Sequence, residues 1–479
     1  MPAKPATRTR RRESITIRAW QDDPMGLPAI ARPVPDISKP PLKFKIKGAS
    51  PAAASYDTGT AGFRYWAAAE ALRRGADFWA PILGLKRWQP GVTLAVGLDE
   101  GDDLNAYYDR HELAFFHHVV KGQRVFSGES PDVVCHEMGH ACLDAHQPAL
   151  WDAPFVEAGA FHEAFGDISA LLSALQLSSV RTVALPALRA DQASVLSRLA
   201  EQLGWGVRQL DPRAVDRDCL RNAWNAFRYA DPETLPDTAP ATRLAAEVHS
   251  FSRVFTGAFH ELLSGMLAIR SKTPRPADLL AVAVDAARLL ADATADAPVQ
   301  PDYFAQVATH MIDADTTRFG GRYRAALTRT FVKREIVPAE VVRPLVRHRG
   351  RIGRDAFGIA VVPKTRAAPP RRHTVTLRAR EFGLVAGTLL VEAPLEGKTF
   401  LMASASLMHR HSDRVARVER ATHRFVRMLF AQRRVDPGAA GKRAARRLAL
   451  HERRRQTHAI VRAGRDFRLV RRKFDCGGL

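Results

Sequence analysis

The sequence predicts an α+β chain in which a sheet-bearing part comes first, a helical part follows, and a basic α/β or mostly helical region ends it. Three observations predict this order. Short apolar runs between residues 92 and 120 have strand length and are separated by turn residues. From 176 to 337 Ala, Leu, Arg and Asp recur at a period near 3.6. Beyond Pro338 the composition changes sign: 33 Lys/Arg stand against 11 Asp/Glu, which accounts for the whole formal net charge of +22.

Taken in order, residues 1–55 hold Pro24, Pro28, Pro33, Pro35, Pro40 and Pro41, which exclude long helices, so an extended Pro/Arg-rich arm is expected. The sheet-bearing part spans 56–175. It opens with an amphipathic helix at 62–83, where FRYWAAAEALRRGADFW puts aromatic, Ala and Leu residues at helical spacing. Strands at 92–98, 104–108 and 113–120 are expected to form an antiparallel sheet whose edge lines a cleft. A helix at 131–145, which Ser130 or Asp132 can cap, and another at 157–175 are joined by HQPALWDAPF, whose prolines separate them. Residues 176–337 read as mostly helical, as in ADLLAVAVDAARLLADA.

The two central helices carry the chemistry. The first reads Cys135-His136-Glu137-Met138-Gly139-His140 and the second Phe161-His162-Glu163-Ala164-Phe165-Gly166-Asp167. Histidines four apart share a helical face, so both imidazoles can reach one zinc ion, with Glu137 beside the metal's open position. Hydrolytic zinc keeps three protein ligands and a water. Glu163, 23 residues after His140, is the expected third ligand, on a helix that returns to the first. Asp167 lies on the same face and can accept the free ring N–H of a ligand histidine. His-Glu-x-x-His alone occurs in unrelated helices; the Glu-x-x-x-Asp on a second helix gives it weight. A structural zinc would mostly be closed by cysteines. The expected reaction is hydrolysis of peptide bonds in a peptide or protein substrate, with Glu137 as general base.

These segments resemble the thermolysin-like metallopeptidases of the gluzincin group, over about residues 60–337. Asn105-Ala106-Tyr107-Tyr108-Asp109 resembles the family's edge strand, and Asp132-Val133-Val134 its lead into the zinc helix. Phe227-Arg228-Tyr229-Ala230-Asp231-Pro232 resembles the segment with the arginine that holds a substrate carbonyl. Glu247-Val248-His249-Ser250-Phe251-Ser252 resembles the segment with the transition-state histidine. The resemblance implies a two-lobed fold with the zinc helices between a sheet-bearing upper lobe and an all-α lower lobe. It implies substrate anchoring by Asn105 and the Ala106 backbone, carbonyl binding by Arg228 and oxyanion stabilisation by His249. There are departures. The family's linker tyrosine is replaced at Pro154, and Trp151 has no phenol to offer. The stretch 171–190 has no carboxylate for calcium, so Asp132 is expected to cap its helix and no calcium is expected.

The chain's 479 residues can hold two or three domains, and 46% hydrophobic content is ample for a core. Cys135, Cys142, Cys219 and Cys476 are too few and too scattered for a disulfide framework, which points to a reducing compartment or indifference to redox. The basic start lacks an apolar h-region and no run of about 18 apolar residues exists, so a cytoplasmic protein without a membrane span is the default expectation. In the region 338–479, HTVTLRAREFGLVAGTLLVEA reads as two strands, 414–434 as a helix, and 442–473 as a second arginine-rich helix. Such charge of one sign suits a polyanion, whether nucleic acid, an anionic membrane surface or an acidic protein, although no nucleic-acid motif is present. A polyanion-binding or interaction protein with a vestigial peptidase domain is the alternative reading.

Overall fold

The computed structural model describes residues 15–339, 371–385, 387–395, 411–441 and 455–476. It is a mixed α+β fold. No helix forms between 15 and 60, as the prolines require; the chain makes an antiparallel pair, β1 (Thr16–Ala19) and β2 (Ile30–Pro33), and then β3 (Lys43–Ile46). This extended segment is not a free arm, because Ile17, Ala19 and Leu42 are fully buried and β3 joins the main sheet.

Helix α1 (Ala61–Leu83) starts where the Thr60 side chain accepts from Phe63 N and stops where Gly84 turns left-handed at φ 66°. Its aromatic and alanine face is buried against α2 (Pro131–His146). Between them run β4 (Thr93–Gly97), β5 (Ala106–Tyr108), β6 (Glu112–Phe115), β7 (His117–Val120) and β8 (Gln123–Phe126). The sheet is mixed where an antiparallel one is expected: β3, β4 and β6 are parallel, and only β5 runs against β6. The excursion through β5 returns β6 alongside β4 in the same direction. The run 113–120 also divides at Phe116, whose N–H and C=O both bond Ser127, and β7 then pairs with β8 in a separate hairpin.

Helix α3 (Val156–Ala174) packs more extensively on α2 than on any other element. Two glycines permit this. A Cβ on Gly139 would lie 2.6 Å from Ser169 Oγ, and one on Gly166 would lie 2.7 Å from the His136 ring. The helical part comprises α4 (Ser178–Arg189), α5 (Glu201–Leu210), α6 (Val248–Arg270), α7 (Pro276–Asp296), α8 (Tyr303–Phe319) and α9 (Arg324–Lys333). A two-residue pair, β9 (Arg198–Leu199) and β10 (Arg221–Asn222), interrupts it, and 223–247 holds no helix. Among the described residues no single helix is long and apolar enough to cross a membrane.

The basic region builds its own sheet from β11 (Arg372–Arg378), β12 (Thr388–Pro394), β13 (Val435–Asp436), β14 (His458–Ala463) and β15 (Asp466–Arg471), in the order β11-β12-β15-β14-β13. Helix α10 (His411–Ala431) buries Val418, Phe425 and Leu429. The two strands at 372–394 and the helix occur as expected. The helix expected at 442–473 does not: β14 and β15 are a hairpin turning at Gly464, φ 65°, while 442–454 lie outside the described residues. His-Ala-Ile-Val-Arg-Ala and Asp-Phe-Arg-Leu-Val-Arg suit two pleated strands, which the many arginines disguise.

Part of the positive charge is taken up internally. Arg424 pairs with Asp237 and donates to the Leu235 carbonyl at 2.8 Å, Arg417 lies 3.6 Å from Asp302, and Arg471 Nε donates to the Trp151 carbonyl at 2.7 Å. These contacts dock the basic region on the rest of the chain. A last strand, β16 (Phe474–Asp475), leaves it and pairs with β5, completing the main sheet as β16-β5-β6-β4-β3. The strand expected at the sheet's edge is therefore covered.

Candidate metal centre

Helix α2 begins where Ser130 Oγ accepts from Val133 N and Pro131 takes the first turn. One turn on, His136, Glu137 and His140 present side-chain atoms that all lie within 4.8 Å of one another. Glu163, from α3, reaches both histidines: Oε2 is 3.3 Å from His136 Nε2 and Oε1 is 3.7 Å from His140 Nε2. His136, Glu137, His140 and Glu163 are each at most 3% exposed. Yet His136 Nε2, His140 Nε2, Glu163 Oε2 and both Glu137 oxygens have no directed hydrogen-bond partner. Buried polar atoms without partners are costly, and here they converge. Two imidazoles and a carboxylate are the donor set of a hydrolytic zinc, so the residues fit that metal.

Asp167 lies beside the first histidine. Its Oδ1 lies 3.0 Å from His136 Nδ1, which fixes the tautomer that leaves Nε2 as a ligand. Burial alone would raise its pKa, but the Arg221 guanidinium and His136 outweigh burial and hold it below the carboxylate range. Arg221 donates to Asp167 from Nη2 at 2.8 Å and Nε at 3.2 Å. The equivalent support for His140 is a residue to which no role is assigned above: His162 Nδ1 lies 3.3 Å from His140 Nδ1. Burial pushes both rings well below the ordinary histidine pKa, so they share a proton as neutral imidazoles. Burial likewise pushes the Glu137 carboxyl up to about 8, where it can take and release a proton near neutrality.

His249, at the first turn of α6, enters the site. Its Nε2 is 3.3 Å from Glu163 Oε2 and 2.7 Å from the Asp475 carbonyl, while Nδ1 lies 2.7 Å from Glu247. Burial opposes its charge, but Glu163 and Glu247 overcome it and raise the pKa to about 9. Asn105 orders the start of β5 by accepting from Ala106 N at 2.9 Å, and Ser127 Oγ donates to the Asn105 carbonyl. The Ala106 carbonyl accepts from Cys476 N at 2.9 Å. Arg228 is not brought to these groups: its side chain is 62% exposed and pairs with Glu335 at the surface. The arginine in the site is Arg221, buried on β10 beside Asp167, with Glu163 and Cys476 near it. Asp167 was the available signal, because a buried carboxylate needs a cationic partner. A cavity of about 540 Å³ opens beside these groups, lined by Arg221, Glu247, His249, Arg253, Arg434 and Cys476 among others.

Asp132 is not an isolated helix cap. Its Oδ2 accepts from Ala200 N at 3.0 Å, and its carboxylate lies with those of Asp22 and Glu201, with Asp23 adjoining. All four are at most 4% exposed, and Asp22 Oδ2 and Glu201 Oε2 have no partner. The expectation of no calcium assumed that Asp132 stood alone, and that premise is corrected here. Burial first, and mutual repulsion second, raise Asp22 well above its usual pKa, Asp132 to about 7 and Glu201 to about 9. These raised pKa values mean that the folded state holds protons the unfolded state releases near pH 4. The associated stability is full below about pH 4 and is lost as pH rises through 7 to 9. In chelator, the melting temperature is expected to fall across that window and Asp22→Asn to weaken the fall. A flat pH profile in chelator would sink this expectation.

Compared with known proteins, the chain matches no protein-family model and no curated protein significantly.

Proposed function

We propose that the chain is a zinc-dependent endopeptidase of the thermolysin-like gluzincin type, its cleft lying between a sheet-bearing lobe and a helical lobe. The observation that carries this is the convergence of His136 Nε2, His140 Nε2 and Glu163 Oε2, none with a directed hydrogen bond, beside the buried Glu137 carboxylate. His136, His140 and Glu163 would hold the metal. When bound, zinc supplies Lewis-acid polarisation and a lowered pKa for water.

The remaining work falls to the chain's own groups. An extended peptide would add to β5 through backbone hydrogen bonds, with the Ala106 carbonyl as one acceptor. Glu137 takes the proton of the attacking water and gives it to the leaving amine. His249, held by Glu247, donates to the carbonyl oxygen as negative charge grows on it. Arg221 would hold a neighbouring substrate carbonyl, the role expected of Arg228. The linker between α2 and α3 has no tyrosine, so oxyanion stabilisation falls to His249.

Metal analysis tests this directly. The purified chain is expected to carry about one zinc, His136→Ala about none, and zinc-dependent cuts in a peptide pool are expected to stop with a chelator. A wild-type chain that takes up no zinc would overturn the proposal. The second reading, a polyanion-binding protein with a vestigial site, draws on the exposed Arg420, Arg427 and Arg465. It expects tight, salt-sensitive binding to nucleic acid or anionic vesicles without cleavage.

A further inference from the structure

The edge of β5, where a substrate peptide would lie, is taken by the chain's own last strand. β16 runs antiparallel to β5, with Phe474 opposite Tyr108 and Asp475 opposite Tyr107, and Cys476 N donates to the Ala106 carbonyl at 2.9 Å. Other ties hold it there. The Asp475 carbonyl accepts from His249 Nε2 at 2.7 Å, and the Asp475 carboxylate pairs with Arg434 at 3.0 Å. The Phe474 ring stacks on His162 at 4.0 Å and meets Trp151 edge-on at 5.4 Å. All three tail residues are at most 3% exposed. Beyond Asp475 the chain brings the Cys476 thiol against His136 and Glu137, whose inward-facing atoms have no other hydrogen-bond partner.

We infer that residues 474–476 form an autoinhibitory segment: β16 fills the peptide-binding edge in substrate fashion, and Cys476 Sγ is the fourth ligand of the metal held by His136, His140 and Glu163. The inference rests on the metallopeptidase reading and adds its regulation. A strand serving only to tether the basic region would need neither a thiol against unpartnered ligand atoms nor a peptide carbonyl on the oxyanion histidine. Zinc accepts thiolate readily, and a fourth protein ligand closes the position that hydrolysis requires. On metal binding the S–H bond would break, the sulfur lone pair serving the metal and the proton passing to solvent. Because the segment is tethered, its effective concentration is on the order of millimolar, so free peptides compete poorly until the tail is displaced.

The test uses the full chain loaded with cobalt(II), whose thiolate complexes show an intense near-ultraviolet charge-transfer band. Wild type is expected to show the band. Cys476→Ser is expected to bind cobalt without it, although Cys135, Cys142 and Cys219 remain. With zinc, Cys476→Ser is expected to cleave a peptide pool about tenfold faster or more. Phe474→Ala, which loosens the strand and leaves the thiol, is expected to raise cleavage as well. Cobalt bound in wild type without the band, and equal cleavage by wild type and Cys476→Ser, would overturn the inference and leave the peptidase standing. Failure of both chains to bind cobalt would remove the peptidase reading and this one with it. Glu137-dependent release of residues 476–479, seen by mass spectrometry, would make the tail a substrate and overturn its role as a plug.

Discussion

Glu137→Gln is expected to lower peptide turnover about 10²- to 10⁴-fold, the range for loss of a general base, while the chain keeps its zinc. Glu137 is fully buried, and apart from the Cys476 thiol no side chain is bonded to its oxygens, so the amide can take its place with little disturbance of the packing. What the amide cannot do is accept a proton and pass it on. The comparison is made between Cys476→Ser and the double variant Glu137→Gln/Cys476→Ser, so that the tail does not mask turnover. A loss below about tenfold would show that another group moves the proton. Loss of zinc together with activity would place Glu137 among the ligands instead.

The pairing of the two histidine- and carboxylate-bearing helices was legible because their side-chain pattern is local. His136 and His140 are one helical turn apart, Glu163 and Asp167 another, and a single packing contact of α2 on α3 assembles all four. Nothing so local marks Arg221, Cys476, Asp22 or Asp23. Arg221 reaches Asp167 from a two-residue strand in a stretch poor in regular structure, and the resemblance pointed to Arg228 in a neighbouring segment instead. Asp22 and Asp23 lie in a proline-rich run that reads as a loose arm, and only tertiary packing brings them to Asp132. β14 and β15 were hidden because arginine fits a helix surface as well as a strand, and composition outweighed the alternation around Gly464. β16 is two residues long, too short for any periodicity; its partner strand and the thiol's surroundings give it meaning.

Asp167→Ala is expected to cost about 3–5 kcal/mol of stability in the metal-free protein and, separately, to weaken zinc binding about 10- to 100-fold. The two effects have different origins. Stability suffers because Asp167 is the counter-charge of Arg221: both are nearly inaccessible, and their contact uses Arg221 Nη2 at 2.8 Å and Nε at 3.2 Å. Without it a guanidinium stays buried and unpaired, and Thr256 Oγ1, 3.3 Å from Oδ2, loses its acceptor. Zinc affinity suffers because His136 Nδ1 no longer has the carboxylate that holds its ring and tautomer. Asp167→Asn separates them, since an amide oxygen can still accept from His136 while the Arg221 charge goes unanswered; it is expected to recover more affinity than stability. Denaturant unfolding of metal-free protein and competition with a zinc chelator measure the two quantities independently. Linkage adds a check: a carboxylate with a depressed pKa contributes stability that is present above about pH 4 and lost as pH falls further. The wild-type chain should therefore lose stability below about pH 4 through this group, and Asp167→Asn should lose less over the same interval. Unchanged unfolding of metal-free Asp167→Ala would mean that Arg221 finds another partner, and that the pair orients His136 without holding the fold together.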